Sequence, residues 1–218
     1  MNFLKWKPLL SDGITLVPLE LAGRGVKHNQ SLYTTFSEAV EDLFSDFKKT
    51  FTGGSFALFG HSLGGWLVYE LYYRIKNSMQ LLPDHIFFSG RYPPDIPEEQ
   101  APEMLNQDEM LIKIVSEFYD TTTVSLDSTM LAYIKKIIKG DLMLAKDYCY
   151  RKRQELIQSP ITVLSGTRDP KITNQQLLGW KLFAGNKCTI CKVEGNHFFP
   201  FNNGQEITSI LNCTLMDS

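Results

Sequence analysis

The chain has 218 residues, of which 43% are hydrophobic and 21% charged, and its formal net charge is −2. This composition predicts a globular protein with a sizeable core, and the small net charge gives no reason to expect nucleic acid or an anionic membrane as a partner. No apolar stretch is long enough for a membrane span, and the first ten residues lack the apolar core of a signal peptide. We therefore expect a cytoplasmic protein, and a monomer.

Strand-like and helix-like patterns alternate along the chain. Short β-rich or continuous apolar runs predict five strands, at 13–21, 55–60, 85–90, 160–166 and 187–195. Apolar residues at helical spacing predict helices at 36–47, 64–76, 110–118, 130–138, 142–157, 174–183 and 204–215. A capping box of Thr35 and Glu38 marks the start of the first helix, and the second is apolar nearly all round, as a buried helix is.

The order of these elements predicts the fold class. Strands that alternate with helices indicate an α/β protein with a mostly parallel central sheet. The alternation is interrupted once, by a largely helical stretch at about 95–157, which we interpret as a lid inserted into a single domain of residues 1–218.

Cys188 and Cys191 form a C-x-x-C motif, and cysteines at this spacing occur in metal and redox sites. The segment alternates like a strand, so the two thiols are expected on opposite faces, and no second pair or histidine cluster completes a zinc site. We therefore interpret them as buried strand cysteines and expect neither a metal nor a bound cofactor.

Gly60-His61-Ser62-Leu63-Gly64 matches the G-x-S-x-G pattern of a nucleophile elbow between a strand and a helix. A serine on so sharp a turn is expected to need glycine on both sides, because strand and helix nearly touch there. The helix that starts at once also presents unpaired N–H groups to developing negative charge. The alternative interpretation is a glycine-rich turn with an incidental serine.

Serine needs a base, and the base needs an orienting acid. Among the four histidines, His197 follows the last predicted strand by two residues and sits in a Gly/Asn turn. Asp169 occupies the matching loop after the preceding strand, whereas Asp95, Asp141 and Asp147 lie in proline-rich or helical settings that fit less well. The chain order Ser62, Asp169, His197 is the order of α/β-hydrolases. Alone, Asp169 could start a turn and His197 could be an edge residue.

With these residues the chain resembles the type II thioesterases that accompany nonribosomal peptide and polyketide synthetases, and the related medium-chain acyl thioesterases of fatty-acid synthesis. The segments that carry the resemblance are LVPLELAGRG (with Ala22 in place of the usual proline), FGHSLGGWLVYEL, KGDLMLAKDYCY, ITVLSGTRDP, Trp180 and VEGNHFFP. The resemblance implies hydrolysis of acyl or aminoacyl groups from the phosphopantetheine arm of a carrier protein. It assigns the nucleophile to Ser62, the base to His197, the acid to Asp169 and an oxyanion N–H to Leu63.

Family members begin with a strand and a P-x-A-G-G loop that supplies a second oxyanion N–H, and neither precedes FLKWKPLLSDGITLVPLEL here. We expect that Met1 is not the start of the full functional chain, or that this is a truncated form with impaired activity. The absent strand would lie between 14–19 and 55–60. These two strands are therefore expected either to pair directly or to leave buried backbone groups unpaired.

Two other functions remain open at this point: a general serine esterase, and a hydrolase fold kept as a non-catalytic binding partner of a synthetase. Carrier proteins are typically acidic, so a basic docking surface is expected. Arg151, Lys152 and Arg153 form the one dense basic run and are the candidate docking residues. The alternative interpretation of this run is a solvated helix end.

Overall fold

The computed structural model describes residues 2–98, 108–118 and 127–216. Its strands are β1 (Ala57–His61), β2 (His85–Ser89), β3 (Ile161–Gly166) and β4 (Cys188–Val193). Its α-helices are α1 (Phe36–Thr50), α2 (Leu63–Met79), α3 (Asp108–Phe118), α4 (Ser128–Asp147), α5 (Asn174–Gly179), α6 (Phe199–Asn202) and α7 (Gly204–Met216). Three short 3-10 helices cover Asn2–Leu9, Gly25–Lys27 and Trp180–Leu182. Within the described ranges, no helix is both long and apolar enough to cross a membrane.

The four strands form a parallel sheet in the order β1-β2-β3-β4, which confirms the predicted α/β class. Every residue of β2 and β3 is buried, as expected for central strands of a sheet that is covered on both faces. All four strands run in the same direction, so their carboxyl ends lie along one edge. The residues that follow β1, β3 and β4 are thereby brought to that edge.

The described chain divides into two compact units, each built from separate stretches of sequence. The sheet unit consists of Met1–Leu19, Leu43–Ile96 and Arg151–Ser218, and the helical unit consists of Glu20–Asp42 and Pro97–Tyr150. In the sheet unit, Trp6 is buried and donates from Nε1 to the carbonyl of Pro200 at 3.2 Å. In the helical unit, the guanidinium of Arg24 binds both carboxylate oxygens of Asp141.

The predicted strand at 13–21 is wrong. Residues 14–20 have no regular secondary structure, and Val17 within them is half exposed. A strand requires a ladder partner, and in the described part of the chain this segment forms none, either with β1 or with another strand. Leu16 is held instead by side-chain packing against the core around Trp6.

The predicted helix at 142–157 is also wrong. α4 continues through its first residues to Asp147 and stops at Tyr148, which is extended with φ −62° and ψ 122°. Beyond that point the backbone is bound by groups distant in sequence: the carbonyl of Glu155 accepts from Tyr73 Oη at 2.7 Å, and the Ile157 N–H donates to the Phe183 carbonyl at 2.9 Å. These contacts take backbone groups that a continuing helix would need. The capping box of Thr35 and Glu38, by contrast, is confirmed.

The junction of β1 and α2 requires glycine at one flank of the turn, not at both. A Cβ atom on Gly60 would lie 2.1 Å from the Gly64 carbonyl oxygen and 2.8 Å from Val68 Cγ2. A Cβ atom on Gly64 would meet nothing within 4 Å. The prediction for Gly64 was therefore wrong, because what approaches Gly60 is the backbone of Gly64, and the hydrogens on Gly64 face open space.

Gly60→Ala and Gly64→Ala consequently form a matched pair of variants. We expect Gly60→Ala to lower the free energy of unfolding by about 3 kcal/mol, since α2 has to move away from β1. Gly64→Ala is expected to be neutral or to stabilise by up to about 1 kcal/mol, because alanine favours helix and finds space. Denaturant unfolding of both variants measures the difference, and equal destabilisation would contradict this description of the turn.

Candidate active site

Ser62 occupies the turn between β1 and α2 in a backbone conformation that side-chain-bearing residues rarely adopt. Its φ is 54° and its ψ is −122°, and its N–H donates to the Ser89 carbonyl at the end of β2 at 2.8 Å. A positive φ costs free energy in a residue with a side chain, and the hydrogen bond to Ser89 helps to hold Ser62 in this conformation. Ser62 precedes the first residue of α2 but makes no side-chain capping bond, so its hydroxyl is available to another group.

His197 is that group. Its Nε2 lies 3.0 Å from Ser62 Oγ, and the residue is 4% exposed. The turn that carries His197 begins after β4 at Gly195, whose φ of 132° favours glycine. Because β4 ends at the same edge as β1, this turn can present the imidazole to the serine.

Asp169 completes the line of hydrogen bonds from the other side of His197. One carboxylate oxygen lies 2.8 Å from His197 Nδ1, and the other accepts from the Lys171 N–H at 3.0 Å. The Asp169 side chain is fully buried. The loop after β3 is joined to the turn after β4 by the Arg168 N–H, which donates to the Gly195 carbonyl at 2.8 Å. The structure thus brings together all three side chains selected from the sequence.

Burial lowers the pKa of His197 below its ordinary value of 6.5, and the hydrogen bond that His197 donates to the Asp169 carboxylate opposes this shift. The positive charges of Lys171 and Arg91 lower the pKa further. The imidazole is therefore neutral at pH 7. A neutral imidazole with one nitrogen on a carboxylate and the other on a hydroxyl can accept the hydroxyl proton, which is the arrangement that makes serine nucleophilic.

Leu63 is the first residue of α2, so its N–H has no partner within the helix and lies at the positive end of the helix dipole. A backbone N–H directly after a nucleophilic serine is the type of group that stabilises an oxyanion. The position of Leu63 at the start of α2 is compatible with this role, which stays a prediction.

The other acids and the basic run have different settings. Asp141 binds Arg24, the Asp147 carboxylate accepts from the Phe36 N–H at 2.7 Å, and Asp95 is exposed. Arg151 and Lys152 are exposed, whereas the Arg153 guanidinium binds the Glu70 carboxylate and lies over the Tyr73 ring at 4.9 Å. The Arg153 side chain therefore takes part in an ion pair and in ring packing within the fold.

Sequence reasoning missed two supporting residues at this site. Ser89 accepts from the Ser62 N–H through its carbonyl, and Gly90 has a φ of 59° beside the histidine. The signal that could have found them is the Ser-Gly pair that ends the predicted strand 85–90, at the edge where the other candidates lie. Cys188 and Cys191 lie on a strand, β4, as predicted, but both are partly buried and not buried as expected. Within the described ranges, no group of three potential ligands could hold a metal.

The chain is similar to a known domain family, to characterised proteins and to solved structures. The family model described as "Thioesterase domain" matches residues 1–214. The gramicidin S biosynthesis protein GrsT of Aneurinibacillus migulanus is 26% identical over 96% of this chain and 81% of that protein. The crystal structure of ClbQ from the colibactin NRPS/PKS pathway matches with a TM-score of 0.90 and 33% identity, over 99% of this chain and 91% of that one.

Two further relatives are named as thioesterases. RedJ, a thioesterase from the prodiginine biosynthetic pathway in Streptomyces coelicolor, matches with a TM-score of 0.86 and 25% identity over 97% of this chain and 79% of that one. The medium-chain S-acyl fatty acid synthase thioesterase of Anas platyrhynchos is 26% identical over 97% of this chain and 86% of that protein. Since the family model spans nearly the whole sequence, the chain belongs to the thioesterase domain family.

Proposed function

We propose that the chain hydrolyses acyl or aminoacyl thioesters carried on the phosphopantetheine arms of carrier proteins, with Ser62, His197 and Asp169 as its catalytic triad. The observation that supports this most is the continuous line of hydrogen bonds from the Asp169 carboxylate through His197 to Ser62 Oγ. Relatives named for a gramicidin pathway and for an NRPS/PKS pathway support the carrier-bound substrate.

In this mechanism Ser62 Oγ attacks the thioester carbonyl carbon while His197 Nε2 takes the hydroxyl proton. The Leu63 N–H stabilises the negative charge on the carbonyl oxygen. When the carbon–sulfur bond breaks, His197 gives its proton to the departing thiol and an acyl ester remains on Ser62. His197 then removes a proton from water, the water oxygen attacks the ester carbon, and the proton returns to Ser62 Oγ as the acid leaves.

Asp169 keeps the Nδ1–H tautomer of His197 and stabilises the imidazolium that forms twice in this cycle.

We further propose that residues of about 95–157 form a lid that is inserted into a single domain of residues 1–218. This proposal rests on the sequence pattern and the family resemblance. The cytoplasmic location and the monomeric state likewise stay predictions from the sequence.

Replacing Ser62 by alanine tests the proposal. We expect Ser62→Ala to reduce hydrolysis of an acyl carrier thioester by about 10³-fold or more, because the nucleophile is lost while the fold is kept. The measurement is release of the free carrier thiol, with circular dichroism as the control for folding. If Ser62→Ala and the unaltered chain hydrolyse the thioester at equal rates, the proposal is wrong.

The same assay separates the two alternative functions. An oxyester of the same acyl group, hydrolysed far faster than the carrier thioester, would identify a general serine esterase. Carrier binding without turnover of either substrate would identify a non-catalytic partner of a synthetase.

For carrier docking, Arg151 and Lys152 are the proposed contact residues, since both are exposed, whereas the third candidate, Arg153, is bound to Glu70. The double change Arg151→Glu/Lys152→Glu is expected to lower kcat/KM for the carrier thioester by roughly tenfold at low salt and to leave a small free thioester unaffected. The control Lys5→Glu/Lys7→Glu makes the same charge change at two exposed lysines elsewhere in the chain. An equal effect of both double variants would show that net charge, not this surface, determines the rate.

A further inference from the structure

His61, the last residue of β1, lies directly beside the histidine of the proposed triad. The His61 and His197 ring centroids are 5.1 Å apart, with 40° between the ring planes. Phe199 and Phe201 meet the His61 ring edge to face, at 5.8 and 5.5 Å. The mechanism above makes no use of this imidazole, although it is in contact with the base.

Ser89 fixes His61 and Ser62 at the same time. Its Oγ lies 3.0 Å from His61 Nδ1, and its carbonyl accepts from the Ser62 N–H at 2.8 Å. Ser89 is fully buried at the end of β2, where it pairs with His61 in the sheet register. The orientation of the His61 ring and the position of the serine backbone therefore depend on one residue.

The next residue, Gly90, leaves the space that the two imidazoles occupy. A Cβ atom there would lie 2.5 Å from His61 Cε1 and 3.4 Å from His197 Cε1. Gly90 has a φ of 59°, and its N–H donates to the Leu164 carbonyl at 2.9 Å. The absence of a side chain at residue 90 thus leaves a slot in which both imidazole rings lie against the Gly90 backbone.

Burial and the neighbouring charges both favour a neutral His61 in this slot. Burial lowers the pKa of His61 well below its ordinary value, and the neighbouring His197 and Lys171 lower it further, whereas backbone groups of Ser89 and His197 oppose the shift. Its Nε2 is shut off from solvent. The charged or titratable groups that act on His197 are Asp169, Lys171 and Arg91. A neutral His61 can contact His197 without opposing the imidazolium that forms there.

We propose that His61 is a positioning residue: its imidazole, held by Ser89 in the slot left by Gly90, keeps the His197 ring directed at Ser62 Oγ and keeps water away from that ring. This inference rests on the proposed triad mechanism. His61 touches neither the substrate nor the transferred proton, so its removal affects the rate of the chemical step and the protonation of His197, and leaves substrate binding unchanged.

Three variants test this role. His61→Asn removes the ring and admits water, and is expected to lower kcat for a carrier thioester about 10- to 100-fold with KM within about twofold. His61→Phe keeps an aromatic ring in the slot and is expected to recover at least about tenfold of the lost kcat. The control His85→Asn removes another buried histidine of the same sheet, which bonds to Thr162 Oγ1 at 2.8 Å, and is expected to leave kcat unchanged.

The pH dependence gives a second readout, which loss of stability alone does not move. Activity requires neutral His197, so kcat/KM falls as the pH drops through the His197 pKa. Water beside His197 relieves its burial and raises this pKa. The acid limb of the kcat/KM–pH profile is therefore expected to move to higher pH in His61→Asn, and to stay in place in His61→Phe and His85→Asn.

The proposal is overturned if folded His61→Asn keeps both kcat and the acid limb, if His61→Phe is as impaired as His61→Asn, or if His85→Asn shows the same changes. If His61→Asn does not fold, His61→Ala, which also removes the ring and admits water, takes its place. It must then shift the acid limb in the same direction, and an unshifted limb overturns the proposal. A Ser62→Ala variant that remains active would instead contradict the proposed function itself.

Discussion

The close approach of β1 to α2 at Gly60 is the constraint on which the site depends. With only hydrogens on Gly60, the Gly64 carbonyl can come within a distance that any other residue would block, and the chain reverses direction in a single turn. The cost of that turn appears at Ser62, whose φ of 54° is rare for a residue with a side chain. The result is a serine hydroxyl within hydrogen-bonding distance of His197, on the residue directly before the first residue of α2.

The parallel sheet supplies the remaining chemistry, because neighbouring strands end at one edge. Asp169 after β3 and His197 after β4 meet there with their side chains buried, and burial holds the pKa of His197 below its ordinary value. The same edge carries Ser89, which binds the serine backbone, and the slot in which His61 lies against His197. The base is thus neutral, oriented and shielded before substrate arrives.

Much of this arrangement could be predicted from local sequence pattern. The four strands could be predicted because each is a short β-rich or apolar run. The site residues could be predicted because each is a polar residue just after a strand. The pattern could not show that 13–21 lacks a ladder partner, since pairing depends on residues far away. It also could not show that Arg153 binds Glu70, or that the open space lies at Gly64 rather than Gly60. His61 was visible within the motif, but its contact with His197 arises only when two turns distant in sequence meet.

In the proposed mechanism Ser62 carries the acyl group between the two halves of the reaction. The most direct test of this step is mass spectrometry of the chain after rapid mixing with an acyl carrier thioester and acid quenching. We expect a mass increase equal to the acyl group, located on the peptide that contains Ser62 and formed before the free acid accumulates. Acid release without an adduct on that peptide, or an adduct on the exposed thiol of Cys149 instead, would contradict it.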